Sequence, residues 1–271
     1  MKLFKILKRI FIVLLVLILS VSAGYTYFIS PNDYKFSTYS YTTDKIPSEF
    51  DHFKIAFFSD CNISSKDDIT RFEKIIKELN NKTFDMVIFG GDLFEDKPLE
   101  SDTVSKILKS IDCKYGKFAI LGEKDIQNEI KITSIFNDGG FEVLKSGIRP
   151  LYIQDTSINL IVLDENTDVK KLKLKDKAFT LAISHTPDTF DVIKNKADLQ
   201  LSGHSYGGLV HIPLIGSMHK DTGCSTYNHG TYYADSSALI VSNGLSGPSS
   251  FPYKLGAKNE INIIKLTSQT K

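Results

Sequence analysis

Hydrophobic residues are distributed in two regimes along the chain. From Ile10 to Ile29 the sequence carries no charge, and an apolar run of that length is enough for a helix to cross a hydrocarbon core of about 30 Å. Lys2, Lys5, Lys8 and Arg9 precede it, and positive flanks stay in the cytoplasm. A cleaved signal peptide is the rival reading, because Val21-Ser22-Ala23 offers small residues near a cleavage position. Tyr25 to Ile29 carries the apolar run past that point and favours an uncleaved anchor. Either way the remainder is expected outside the cell. Residues 1–9 read as a cytoplasmic tail and 10–29 as a single-pass membrane anchor. Residues 30–50 read as a polar linker, and 51–271 as the exported domain.

Beyond the linker, short apolar runs alternate with helical spacing. Lys54 to Ser59, Met86 to Phe89 and Phe118 to Leu121 are β-rich and bounded by polar or glycine positions, as buried strands are. Ile69, Phe72, Ile75, Ile76 and Leu79 repeat at helical spacing, with Asp67 or Asp68 as expected N-cap. Thr103 to Ile111 and Ile130 to Phe136 read as further helices, the second ended by Gly139-Gly140. The second half is richer in strands: 158–163, 179–184, 199–202, 238–242 and 261–266. A β-α-β-α-β opening followed by a strand-dense half predicts an α/β protein. The expected fold is a four-layer αββα sandwich of two mixed sheets flanked by helices, preceded by one transmembrane helix.

Composition narrows the functional classes. Lys+Arg 33 against Asp+Glu 32 leaves a net charge of +1, so no bulk field draws the chain to nucleic acid. The basic run from Lys170 to Lys177 reads as a solvated face rather than a contact for anionic lipid. Cys61, Cys113 and Cys224 are too few and too scattered for a disulfide framework, and read as small core hydrophobes. Asn62-Ile63-Ser64 and Asn81-Lys82-Thr83 match glycosylation sequons, which matter only in a eukaryotic secretory pathway.

The chemistry gathers at strand ends. KIAFFS is followed by Asp60, Cys61 and Asn62. MVIFGG leads to Asp92, Glu95 and Asp96, and FAILG to Glu123, Lys124 and Asp125. TLAIS ends at His185 and LQLSG at His204. Ligands of α/β sheets bind outside the carboxyl ends of strands. Asp60, Asp92, Glu123, His185 and His204 are therefore expected on one rim. Three carboxylates and two imidazoles there are ligands for a transition metal, and the carboxylates repel one another without a cation. Each residue alone has a blander role: an Asp after a strand usually caps a helix, and a lone His is usually structural. Five such ends in one chain point to a site.

These stretches resemble the calcineurin-like metallophosphoesterases, whose order is D-x-H, G-D-x-x-[DE], G-N-H-[DE], a lone H, then G-H-x-H. The matching residues are Asp60-Cys61-Asn62, Gly91-Asp92-Leu93-Phe94-Glu95, Gly122-Glu123-Lys124-Asp125, His185 and Gly203-His204-Ser205-Tyr206. Val241 to Ser250 also resembles the late segment of membrane-anchored bacterial members. The resemblance covers about residues 50 to 266 and implies two metal sites sharing Asp92. The second keeps Asp92, His185 and His204, with Glu123 where the family has asparagine. The first keeps Asp60 and Asp92, but Asn62 and Tyr206 stand where the family has histidines. Lys124 replaces the histidine that protonates the leaving group or holds phosphate. The resemblance thus implies one divalent ion of Mn, Zn or Fe type rather than two, with the Lys124 ammonium supplying part of the missing charge.

The expected function is a membrane-anchored phosphoesterase of weak or one-metal activity, acting on a phosphate-containing small molecule, lipid or envelope polymer. The alternative is a catalytically inactive relative that binds a ligand or partner. GHSYGG also spells the G-x-S-x-G elbow of a serine hydrolase with Ser205 as nucleophile. That elbow requires a following helix, and GGLVHIPLIGSM, with Pro213 and Gly216, is not one. His211, His219 and His229 fall in a Gly-, Ser- and Thr-rich region and read as surface groups.

Overall fold

Tyr34–Thr43 (YKFSTYSYTT) alternates aromatic with polar residues, and it forms the strand β1 rather than part of a linker. Its apolar residues are all aromatic and separated by Ser, Thr and Lys, a pattern that suits an edge strand burying only part of its surface. The computed structural model describes residues 2–164, 167–172, 178–212, 214–218 and 220–269. Pro213, His219 and residues 173–177 of the basic run lie outside the described residues.

After β1 come β2 (Lys54–Phe58), β3 (Met86–Phe89), β4 (Gly116–Ala119) and β5 (Glu142–Val143). Then follow β6 (Gly147–Ile153), β7 (Thr156–Leu163), β8 (Thr180–Ser184) and β9 (Leu199–Ser202). A small hairpin, β10 (His211–Ile212) with β11 (Gly216–Ser217), precedes β12 (Gly230–Ala234), β13 (Ser237–Val241) and β14 (Asn259–Ser268). The helices are α1 (Lys2–Gly24), α2 (Lys66–Leu79), α3 (Ser101–Lys109), α4 (Glu123–Ile126), α5 (Glu129–Asp138) and α6 (Phe190–Ile193).

Two six-stranded mixed sheets result, in the orders β1-β14-β2-β3-β4-β5 and β12-β13-β9-β8-β7-β6. β2 to β5 run parallel, and β14 opposes β2. β7, β8, β9 and β13 run parallel, with β6 and β12 antiparallel at the edges. Phe57, Ile88, Leu181 and Leu201 belong to the core pressed between the sheets. The outer face of the first sheet is covered by α2, α3 and α5 through Phe72, Leu108 and Phe136. That of the second carries Phe190 and Ile193 of the short α6. The αββα sandwich and its two mixed sheets therefore stand as the pattern predicted.

Local chemistry sets the element ends. The cap of α2 is Ser65, not Asp67 or Asp68. Ser65 accepts from the Asp68 amide, and Asp68 reaches back in a capping box. Its buried stripe is Ile69, Phe72, Ile75, Ile76 and Leu79, each burial contributing roughly 1.5–3 kcal/mol.

α1 exposes its whole apolar surface. It continues through a π turn at Tyr25–Ile29 and a 3-10 turn at Ser30–Asn32. Among the described residues it is the one helix long and apolar enough to cross a membrane. Its end is tied to the domain. The Lys254 amide donates to Ser30 Oγ at 3.0 Å, Arg71 Nη1 donates to the Pro31 carbonyl at 2.8 Å, and Tyr27 stacks on Tyr253 at 5.1 Å. All three cysteines are free thiols; Cys61 and Cys224 are buried.

Candidate metal centre

The parallel strands of both sheets deliver their carboxyl ends to one crevice. Asp60 follows β2, Asp92 follows β3, and Glu123 and Lys124 follow β4; His185 follows β8 and His204 follows β9. Asp60, Asn62, Asp92, His204 and Tyr206 all have positive φ, between 44° and 68°. Each such non-glycine residue costs of order 1–3 kcal/mol. Five together mark a place where the fold holds side chains against local preference.

Glycines let the backbone close around them. A Cβ on Gly122 would sit 2.0 Å from Asp92 Oδ1, and one on Gly203 would sit 2.6 Å from Asp60 Oδ2. Gly122 has an ordinary φ of −92°, so crowding alone requires glycine there. Gly122→Ala is expected to push the Asp92 carboxylate aside and weaken metal binding by about 10–100-fold, the range seen when ligand support is lost. Titration with Mn²⁺ checks this; an unchanged affinity would show that Asp92 is not a ligand.

Ligand atoms of Asp60, Asp92 and His185 lie within 4.8 Å of one another, and all three residues are buried. His185 Nδ1 is 2.8 Å from the Gly90 carbonyl, which fixes that nitrogen as the donor. Its Nε2 then faces Asp92 Oδ2 at 3.4 Å. His204 lies outside that group of three but is held in a similar way: Nε2 is 2.8 Å from the Thr222 carbonyl, leaving Nδ1 as its candidate ligand atom. The two rings stand edge to face, 5.1 Å apart. Asp92 Oδ2, His185 Nε2 and His204 Nδ1 are buried with no hydrogen-bond partner. Buried polar atoms are normally paired. Three buried polar atoms without a close hydrogen bond in one crevice, two of them facing each other as the His185–Asp92 ion pair, form a donor set that fits a divalent cation.

The electrostatics agree. Burial draws the His185 pKa down, but the Asp92 and Asp60 carboxylates outweigh it and raise the value to about 10. Burial pushes Asp92 up, while His185 and Lys124 more than offset this and hold it below the ordinary carboxylate range. The crevice attracts positive charge. Asp60 is anchored from both sheets: Ser59 Oγ donates to it at 2.5 Å, and the His204 amide at 3.1 Å.

Glu123 stands at the rim, its side chain 56% exposed and Oε1 3.8 Å from His204 Nδ1. Lys124 reaches the other side of the crevice. Its Nζ lies 2.8 Å from Glu95 Oε2, 3.0 Å from Tyr206 Oη and 3.2 Å from Asn62 Oδ1. Burial and the Asp60 and Asp92 charges raise the Tyr206 pKa far above its ordinary value, so it is a neutral phenol.

Two further carboxylates support the site, Glu95 beside Lys124 and Asp125 beneath Asp92. Glu95 was visible only as part of G-D-x-x-[DE], without a partner. Asp125 is a buried clamp that accepts from the amides of Asp92, Leu93 and Gly122 at 2.8, 3.1 and 2.9 Å. Burial and neighbouring Asp92 raise its pKa to about 7.

The serine-hydrolase reading fails on geometry. Ser205 is fully buried, its Oγ accepts from the Gly207 amide at 3.3 Å, and a single 3-10 turn follows instead of a helix. His211 and His229 are not separate surface groups either. Both are half-buried and their rings stack 4.1 Å apart.

The family model for calcineurin-like phosphoesterases matches residues 53–207. The chain belongs to the calcineurin-like phosphoesterases. This family depends on divalent metal, in keeping with the donor set just described. A relative from Bacillus subtilis (strain 168), described as the uncharacterized metallophosphoesterase YkuE, is 28% identical over 257 residues, 90% of each chain. An uncharacterized metallophosphoesterase of Helicobacter pylori (strain J99) is 26% identical over 236 residues, 82% of this chain and 61% of that protein. Among solved structures, the phosphopantetheinyl hydrolase PptH of Mycobacterium tuberculosis overlaps 72% of this phosphoesterase and 91% of its own chain, at 9% identity and a TM-score of 0.44.

Proposed function

We propose that this phosphoesterase is anchored in the cell membrane by α1, with its domain outside, and hydrolyses phosphoesters using one divalent ion. Asp60, Asp92, His185, His204 and the rim carboxylate Glu123 would hold that ion. When bound, it supplies Lewis-acid activation of the phosphoryl group and lowers the pKa of water. The chain's own groups do the rest. The Gly90 and Thr222 carbonyls keep each imidazole in the ligating tautomer. The Lys124 ammonium binds a phosphoryl oxygen as a point charge. Tyr206 and Asn62 hold that ammonium in place, and Asp125 fixes the Asp92 turn.

The observation that carries this reading is the seat of Lys124. Its ammonium rests among Asn62, Tyr206 and Glu95. Asn62 and Tyr206 stand where the family places metal-binding histidines. A tethered cation there stands in for a second metal and leaves its electrostatic role partly filled.

The test uses the full chain in detergent, loaded with Mn²⁺. About one ion per chain is expected by mass spectrometry, with hydrolysis of bis(p-nitrophenyl) phosphate that chelator and Asp92→Asn abolish. Metal uptake without turnover would favour the inactive, ligand-binding relative. Failure to bind metal at all would remove the reading.

A further inference from the structure

The two loops that leave the metal centre both end in exposed apolar side chains, and both are tied through residues 253–255 to the exit of α1. One loop runs from His204 into the β10–β11 hairpin, whose tip exposes Leu214 fully and Ile215 largely, with Met218 exposed just after β11. The other begins at Gly244, where an added Cβ would lie 2.7 Å from Asp60 Cβ. It accepts from Asn62 Nδ2 through the Gly247 carbonyl at 3.1 Å, and ends at exposed Phe251 and at Tyr253. Tyr253 stacks on Tyr27, in the last turns of the membrane helix. The loops are joined to each other: the His211 amide donates to the Leu255 carbonyl at 2.8 Å, and the Leu255 amide to the Leu209 carbonyl at 2.9 Å. One residue further back, the Lys254 amide bonds Ser30 and its ammonium bonds the Asn243 and Gly244 carbonyls. A single lysine and a single glycine thus separate the end of the anchor from the metal ligand Asp60.

Single exposed hydrophobics need no explanation, whereas a group of them marks an interaction surface. Here the group shares its base with a helix long and apolar enough to span a bilayer. Amphipathic aromatics such as Tyr27 and Tyr253 settle at the headgroup level. We propose that the hairpin tip and the Phe251–Tyr253 turn form an apolar lip seated in the leaflet that receives the end of α1, and that the crevice takes phosphoesters borne by membrane-embedded lipids. This rests on the proposed hydrolase activity and on α1 as a span.

The chain contains no tryptophan, so one can be placed as a depth probe. In full chain reconstituted into nanodiscs, Leu214→Trp and Ile215→Trp are expected to emit at shorter wavelength than Tyr152→Trp, on the exposed edge strand β6. Brominated phosphatidylcholine is expected to quench the first two several-fold more. In the same discs, p-nitrophenyl hexadecyl phosphate should be cleaved about tenfold more efficiently than soluble bis(p-nitrophenyl) phosphate. L214S/I215S should remove that preference and leave the soluble diester rate unchanged. Solvent-like emission without quenching overturns the lip, and quenching without a preference for the hexadecyl ester overturns the lipid substrate. Loss of soluble diester hydrolysis in the unmodified chain is a separate result that strikes the hydrolase reading, and the quenching does not depend on it.

Discussion

Replacing Lys124 by Met is expected to destabilise the protein by about 2–3 kcal/mol, and to lower phosphodiester turnover by on the order of 100-fold. The ammonium and Glu95 are mostly buried, with side-chain exposures of 18% and 13%. Removing one partner leaves the other carboxylate short of charge inside a crevice that already holds Asp60 and Asp92. The stability cost is set below that of a fully buried pair because some solvent reaches both groups. The rate loss follows from taking away a preorganised cation where phosphoryl charge develops.

The reverse substitution discriminates better. Asn62→His, Lys124→His and Tyr206→His together, with Glu123→Asn, return imidazoles to the positions where the family carries them. The chain is then expected to bind two Mn²⁺ ions, against the one proposed for the unmodified protein. Metal counts, denaturant midpoints and turnover are read on the same samples. An unmodified chain already holding two ions, or a Lys124→Met variant unaltered in folding and metal content, would refute the role given to the ammonium.

The sandwich was legible because its inner strands are continuous apolar runs and its helices carry apolar stripes. β1 was not, since Tyr and Thr alternating with Ser and Lys resemble linker composition until a partner strand is known. Its partner β14 is more than 200 residues away in sequence. The rim was legible for a related reason: polar residues after successive parallel strands must share an edge. What sequence could not convey was reach. Glu123 and Lys124 are neighbours, yet one points to the exposed side near His204 and the other crosses to Glu95, Asn62 and Tyr206. The carbonyls that orient the two imidazoles belong to Gly90 and Thr222, and no side-chain motif announces a backbone acceptor. The positive φ values of Asp60, Asp92 and His204 were equally hidden, because the chemistry required those residues against their backbone preference.

Lys254 is expected to make stability rise with pH on the alkaline side, by up to about 5 kcal/mol between pH 7 and pH 10.5. This lysine is fully buried. Burial pulls its pKa from 10.5 to about 7, against the pull of Asp60 and Glu260 and with the push of Arg71. Between those values the unfolded chain keeps the proton and the folded chain does not. The unfolded state therefore binds more protons, and stability increases as pH rises through that window. Below pH 7 both states are protonated and the contribution is flat. The Lys254 amino group is held in place by the Asn243 and Gly244 carbonyls, which belong to the turn packed on Asp60. The measurement is urea unfolding in mild detergent, for the unmodified chain and Lys254→Met, from pH 5 to pH 10. Other groups titrate alike in both proteins, so the difference between the two curves isolates Lys254. It should be level up to pH 7 and then climb by about 1.4 kcal/mol per pH unit at its steepest; a difference that stays level to pH 10 would mean the folded lysine keeps its ordinary pKa.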